Sequence, residues 1–155
     1  MIFSEGLMEA MQDVRVRDMR IGDYEEVVSV WRRAGLPYRG SGRDSRESIE
    51  REMQGGEALF LIAENQDGIV GTALCTHDGR KGWINRLAIV PEMQGRGVGR
   101  MLVVEAEGRF SALGLKVFCC LINEDNVHSR RFFAELGYKE HEDIVYCSKR
   151  SGEDV

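Results

Sequence analysis

The stretch Val90-Pro91-Glu92-Met93-Gln94-Gly95-Arg96-Gly97-Val98-Gly99-Arg100 stands where one hydrophobic period gives way to another. Before it, Trp83 to Val90 reads as a strand that Pro91 ends. After Gly99, the residues Leu102, Val103, Ala106, Phe110 and Leu113 recur at helical spacing. Gly114 sits where a helix C-terminal glycine belongs. Three alternating glycines in a strand-to-helix turn let backbone N–H groups approach a ligand with no side chain in the way. The helix N-terminus adds unpaired amides and partial positive charge, so the turn suits a phosphate or pyrophosphate. It is neither of two familiar phosphate loops. A dinucleotide G-x-G-x-x-G started at Gly95 meets Arg100 at its sixth position, and started at Gly97 it meets Leu102. No Gly-Lys-Ser/Thr is present. On these residues alone, a glycine-rich turn with no ligand stays open.

Upstream, Val14 to Met19 alternates apolar and charged residues, the pattern of a half-buried strand. Asp23 is placed to cap a helix whose apolar stripe is Tyr24, Val27, Val28, Val30 and Trp31, ended by Gly35. A loop from Pro37 to Gly42 leads to a short helix from about Asp44 or Ser45 to Gln54, stopped by Gly55-Gly56. Ala58 to Glu64, Ile69 to Thr76 and Trp83 to Val90 have hairpin spacing, with turns at Asn65 to Gly68 and Asp78 to Gly82. Downstream, Leu115 to Ile122 reads as a buried strand, Asn126 to Leu136 as a helix, and Ile144 to Cys147 as a final strand. The order predicts an α/β (α+β) fold: a mixed, mostly antiparallel central sheet of about six strands with helices on both faces. Residues 1–13 read as an N-terminal extension, 14–148 as one domain, and 149–155 as a polar tail.

A chain of 155 residues is about one domain. It can bury roughly 70% of its unfolded surface, so it needs no metal or disulfide to fold. With 43% hydrophobic and 30% charged residues it is neither disordered nor a coiled coil. No apolar run approaches the ~20 residues of a membrane helix. Lys plus Arg is 21 against 26 Asp plus Glu, a net charge of −5. That makes nucleic acid a poor partner, because such binding runs on neutralised phosphates. The same balance leans mildly toward a cationic substrate. The cysteines (Cys75, Cys119, Cys120, Cys147) form no C-x-x-C pair, and His77, His128 and His141 share no ligand spacing with them. No metal site is expected. Met1 to Gln12 carries Glu5 and Glu9 and no basic residue, unlike a secretory signal, so the expected compartment is cytoplasmic.

The run Gln94-x-x-Gly97-x-Gly99 resembles the pyrophosphate motif of the GNAT superfamily of acetyl-CoA-dependent N-acetyltransferases. The resemblance extends upstream through Arg86-Leu87-Ala88-Ile89-Val90-Pro91-Glu92. It continues downstream from Asn123 to Tyr138, which looks like the family's Asn-x-x-Ala-x-x-hydrophobic-Tyr-x-x-x-Gly-aromatic pattern. It implies that the strand ending at Val90 splays from its neighbour, leaving a gap for the pantetheine arm of acetyl-CoA. Backbone groups of Leu87, Ala88 and Ile89 would then bond that arm like a substitute strand. The turn from Gln94 through Gly95, Arg96, Gly97, Val98, Gly99 and Arg100 would hold the pyrophosphate. Arg96 and Arg100 either add charge near phosphates or are solvated helix-start arginines. Asn126 would contact the cofactor, cap the helix, or do both. An amine is the implied acceptor, no metal is implied, and homodimers are common among such proteins.

The same resemblance marks departures in the catalytic positions. The family's acid is a tyrosine seven residues after the motif asparagine; here that position is Phe133, which has no proton to give. Thiolate is a tolerable leaving group, with a thiol reference pKa near ~8.5, so loss of the acid need not abolish turnover. Tyr138 and Tyr146 are substitutes to consider, each equally readable as a packing aromatic. The usual base positions hold Trp83 and Leu121. Glu124 and Asp125 lie close in sequence to the site and could act through water, or be solvated loop carboxylates. An N-acetyltransferase is the leading expectation, and a slow or non-catalytic acyl-CoA-binding module of the same fold is the alternative.

Overall fold

A computed structural model describes residues 13–153 and Val155; all of the expected extension 1–13 except Asp13 lies outside the described residues. The elements in order are β1 (Arg15–Asp18), α1 (Tyr24–Arg33), α2 (Arg46–Gln54), β2 (Ala58–Asn65), β3 (Gly68–His77), β4 (Lys81–Ile89), α3 (Val98–Ala112), β5 (Val117–Cys120) and α4 (Val127–Glu135). They form one mixed sheet in the order β1-β2-β3-β4-β5. The first three pairings are antiparallel, and β4 runs parallel to β5.

Helices cover both faces of this sheet. The Trp31 indole N–H on α1 donates to Thr72 Oγ1 on β3 at 3.1 Å. A Cβ at the neighbouring Gly71 would meet Val98 and Leu102 of α3 at 3.1 Å. Successive strand residues face opposite ways, so α1 and α3 lie on opposite sides. The fully buried side chains include Trp31, Ile49, Leu61, Ile62, Leu102 and Phe110, which join both layers into one core.

Two features of β4 position the site. Cys75 pairs with Ile84 and Leu74 pairs with Arg86, so Asn85 is an extra residue on β4, a β-bulge that bends the strand. The parallel ladder to β5 joins Lys81–Ile84 to Val117–Cys120 and stops at that bulge. Beyond it, β4 has no strand beside it on the β5 side.

Several expectations need correction. The sheet has five strands among the described residues, not about six. Ile144 to Cys147 forms no strand, and Ile144, Val145 and Tyr146 are exposed. Strand-like composition makes no strand where no neighbouring edge is in register with it. The expected buried strand from Leu115 to Ile122 shrinks to Val117–Cys120, with Val117 and Leu121 exposed, because β5 is the outer strand of the sheet. Leu113 is also exposed, since α3 ends before it. Asp23 stands at the N-cap position of α1, but its side chain makes no capping bond there. Its carboxylate accepts from Arg17 at 2.8 Å and from the Arg20 amide at 2.8 Å. Those bonds hold its pKa below the usual aspartate range, the Arg17 contact being the larger cause.

Candidate active site

The splay of β4 opens onto a cleft of about 640 Å³. Leu87, Ala88 and Ile89 of β4 line it, with Leu36 and Pro37 of the α1–α2 loop and with Asp125, Asn126 and Phe132 on the α4 side. Its end is formed by Met93, Gln94, Gly95 and Gly99.

The backbone of β4 can be assigned residue by residue. The Val90 N–H donates to the Val70 carbonyl at 2.9 Å. Backbone groups alternate sides along an antiparallel strand. Ala88 therefore spends its N–H and C=O on β3, and Leu87 and Ile89 point theirs into the gap. The Gln94 side-chain amide donates to the Ile89 carbonyl at 3.0 Å, on that same open side.

The glycines of the turn serve different ends. Gly95 and Gly97 have φ of +73° and +83°, where residues with a Cβ are strained, and a Cβ at either would meet nothing within 4 Å. Gly97 is the N-cap of α3 and has no side chain to satisfy the first-turn amides. The first helical bond runs from the Met101 N–H to the Gly97 carbonyl, at 3.0 Å. The amides of Val98, Gly99 and Arg100 precede it, and no acidic residue lies in that turn. This is an uncapped, positively polarised helix end beside an open space, and it fits a pyrophosphate. Gly99 has a second reason to be glycine: a Cβ there would sit 3.2 Å from Phe132 Cζ. The Val98 side chain is buried, so only its backbone faces this turn. Arg96 and Arg100 make no ion pair among the described residues.

Asn126 lines the cleft and also caps α4, accepting from the Ser129 amide at 3.1 Å. Phe133 is buried, edge-on to Phe132 at 5.1 Å and to Tyr138 at 5.0 Å. Phe132, one residue earlier, is the ring that reaches the cleft. The Tyr138 hydroxyl donates to Glu107 Oε1 at 2.9 Å and is not among the cleft-lining groups. Burial first, and then that bond, raises its pKa well above the ordinary tyrosine value. Glu124 contributes its carbonyl to Arg130 at 2.9 Å, while Asp125 lines the cleft. His128 and Ser129 line it too. Sequence reading passed over these two and Phe132, although Asp125, His128, Ser129 and Phe132 share the i, i+3, i+4 spacing of one helix face.

The sequence model of the Acetyltransferase (GNAT) family matches residues 24–138. The chain belongs to the GNAT acetyltransferase family. It is therefore an acyltransferase, and solved structures carry the same fold. The PaiA N-acetyltransferase from Thermoplasma acidophilum, in complex with coenzyme A, superposes with a TM-score of 0.73 at 22% identity, over 81% of this chain and 89% of that one. AAC(6')-Iy, in complex with the bisubstrate analogue CoA-S-monomethyl-acetylneamine, gives 0.74 at 18% identity, over 88% and 98%. An aminoglycoside acetyltransferase from an uncultured soil metagenomic sample, in complex with sisomicin, gives 0.76 at 13% identity, over 91% and 98%. In this GNAT chain no group of three or more His, Cys, Asp or Glu side chains is arranged to hold a metal among the described residues. Among those residues, too, no helix is long and apolar enough to cross a membrane.

The turn supplies a direct test of the cradle. Asparagine tolerates the left-handed backbone that Gly95 adopts, so Gly95→Asn is expected to keep its thermal midpoint close to the parent's. Its side chain enters the cleft, and acetyl-CoA affinity is expected to fall about tenfold, or ~1.4 kcal/mol. Isothermal titration beside a thermal melt checks both.

Proposed function

We propose that this GNAT chain transfers an acetyl group from acetyl-CoA to a primary amine of a small molecule, peptide or protein by direct attack. The observation that carries the reading is one continuous cleft that joins the uncapped α3 N-terminus to the open backbone of Leu87 and Ile89. The residues present fit acetyl-CoA: the amides from Gly95 to Arg100 for its pyrophosphate, and Leu87, Ile89 and Asn126 for its pantetheine arm. Acetyl-CoA supplies the activated acetyl thioester when bound.

The remaining chemistry falls to the chain. One inward N–H of the splayed strand, that of Leu87 or that of Ile89, donates to the oxygen on which charge develops. Asp125, with Glu124 beside it, takes up the amine proton through water. Position 133 contributes no proton, so turnover rests on thiolate leaving without a side-chain acid. Thiol release from acetyl-CoA across a panel of amines tests the reading. Release above the hydrolysis blank is expected for at least one amine, and absence of acetyl-CoA binding would sink it.

Phe133 favours a second reading, a module that binds acyl-CoA and turns it over slowly. Tight binding without release on any amine would support that module. A large rate gain in Phe133→Tyr would identify the missing acid as what limits an otherwise competent site.

A further inference from the structure

One hydrogen bond joins the two parts of the cleft that a cofactor would have to occupy together. The Gln94 side-chain amide donates to the carbonyl of Ile89, the last residue of β4, at 3.0 Å. Both residues line the cleft. An arm leading from the α3 amides to Leu87 passes Ile89 first, because Ile89 is the strand residue nearest the turn. The Ile89 carbonyl is among the groups that β4 directs into the gap, and the ladder to β5 does not extend to it. Such a carbonyl needs a partner once water leaves. The donor that a strand-like arm brings is an amide N–H, and the Gln94 side chain supplies the same chemistry.

The surroundings decide which part can move. Val90 and Met93 are buried. The Val90 N–H is bonded to the Val70 carbonyl, the Met93 N–H donates to the Val90 carbonyl at 3.0 Å, and the Gln94 N–H donates to the Pro91 carbonyl at 3.3 Å. The backbone that presents Gln94 is therefore anchored to β3 and to itself. Gln94 is exposed, and side chains of that kind change rotamer freely. Rotation of this one side chain frees the Ile89 carbonyl and leaves the amides of the cradle where they are.

We propose that the Gln94 side chain is a placeholder for the cofactor's arm: it holds the Ile89 carbonyl in the free chain and leaves it when the amide N–H of the pantetheine arrives. The inference rests on the acetyl-CoA reading above and gives the side chain of Gln94 a role apart from the backbone cradle. A ligand that needs the bond broken binds more weakly by the fraction of chains in which it is already broken. Gln94 thus lowers the affinity of any ligand that carries the arm. A pyrophosphate without an arm leaves the bond in place and escapes that penalty.

Calorimetric titration of the full chain with CoA, and with ADP as a pyrophosphate that has no arm, compares the parent with Gln94→Met. Methionine has a similar length and no N–H to donate. CoA is expected to bind the variant about fivefold more tightly, the worth of one neutral hydrogen bond, with ADP affinity changed less than about twofold. Unchanged CoA affinity overturns the proposal. Equal weakening of both ligands also overturns it, placing the Gln94 side chain on the phosphates. A crystal structure of the parent with CoA bound gives a reading that does not depend on the variant. There, Gln94 Nε2 is expected more than about 3.5 Å from the Ile89 carbonyl oxygen, with an arm N–H in its place. Retention of the bond beside the arm overturns the placeholder and leaves the acetyl-CoA reading standing. Failure of the parent to bind CoA removes both readings together.

Discussion

Arg86→Met is expected to cost the fold about 3 kcal/mol, the lower part of the range for breaking a buried ion pair. The side chains of Arg86 and Asp44 are 12% and 4% exposed, and their closest N–O distance is 2.7 Å. The other guanidinium nitrogen donates to the Pro37 carbonyl at 2.7 Å. The guanidinium carbon lies 4.9 Å from the centroid of the Trp31 ring, which packs the cation against the core. Removing Arg86 leaves the Asp44 carboxylate out of water with the Arg39 amide as its remaining charge-stabilising contact. The pair itself contributes less than this figure, because much of the loss is the penalty of an uncompensated buried charge. Urea unfolding of Arg86→Met, Asp44→Asn and the double variant separates the two. The double variant should be more stable than the sum of the single losses allows. Simple additivity would show that the pair is not coupled.

Gly82→Ala is expected to destabilise by about 3 kcal/mol, an overpacking loss at the upper end of the usual range. A Cβ at Gly82 would lie 2.3 Å from Phe110 Cδ2 and 2.5 Å from two further atoms of that ring. Phe110 is fully buried and stacks on Phe118 at 6.0 Å, so its ring has little room to retreat. Gly82 cannot retreat either, because it is paired with His77 on one side and Phe118 on the other. Thermal and urea melts read the loss, and Gly82→Ala/Phe110→Leu should recover a substantial part of it. A double variant no better than the single one would mean that the strain lies in the backbone rather than against the ring.

The glycines show how far a sequence reading reaches. Gly95 and Gly97 are legible in the strand-to-helix turn because their requirement is local, a left-handed backbone at an uncapped helix start. Gly82 reads as turn punctuation, yet its requirement is an aromatic ring 28 residues away in sequence. Nothing near it in the chain announces that contact. The same division separates Phe132 from Phe133. Adjacent in sequence, they differ in the tertiary structure, one lining the cleft and the other buried against Tyr138.

By itself, the sequence determined the order of helices and strands, the turn that suits a pyrophosphate and the family pattern around it. These follow from hydrophobic period and backbone chirality, which act within a few residues. Only the tertiary structure decided where β4 parts from β5, because the bulge at Asn85 exists only relative to β3. It also showed that Ile144 to Cys147 adds no sixth strand, since pairing needs an edge in register as well as a suitable composition.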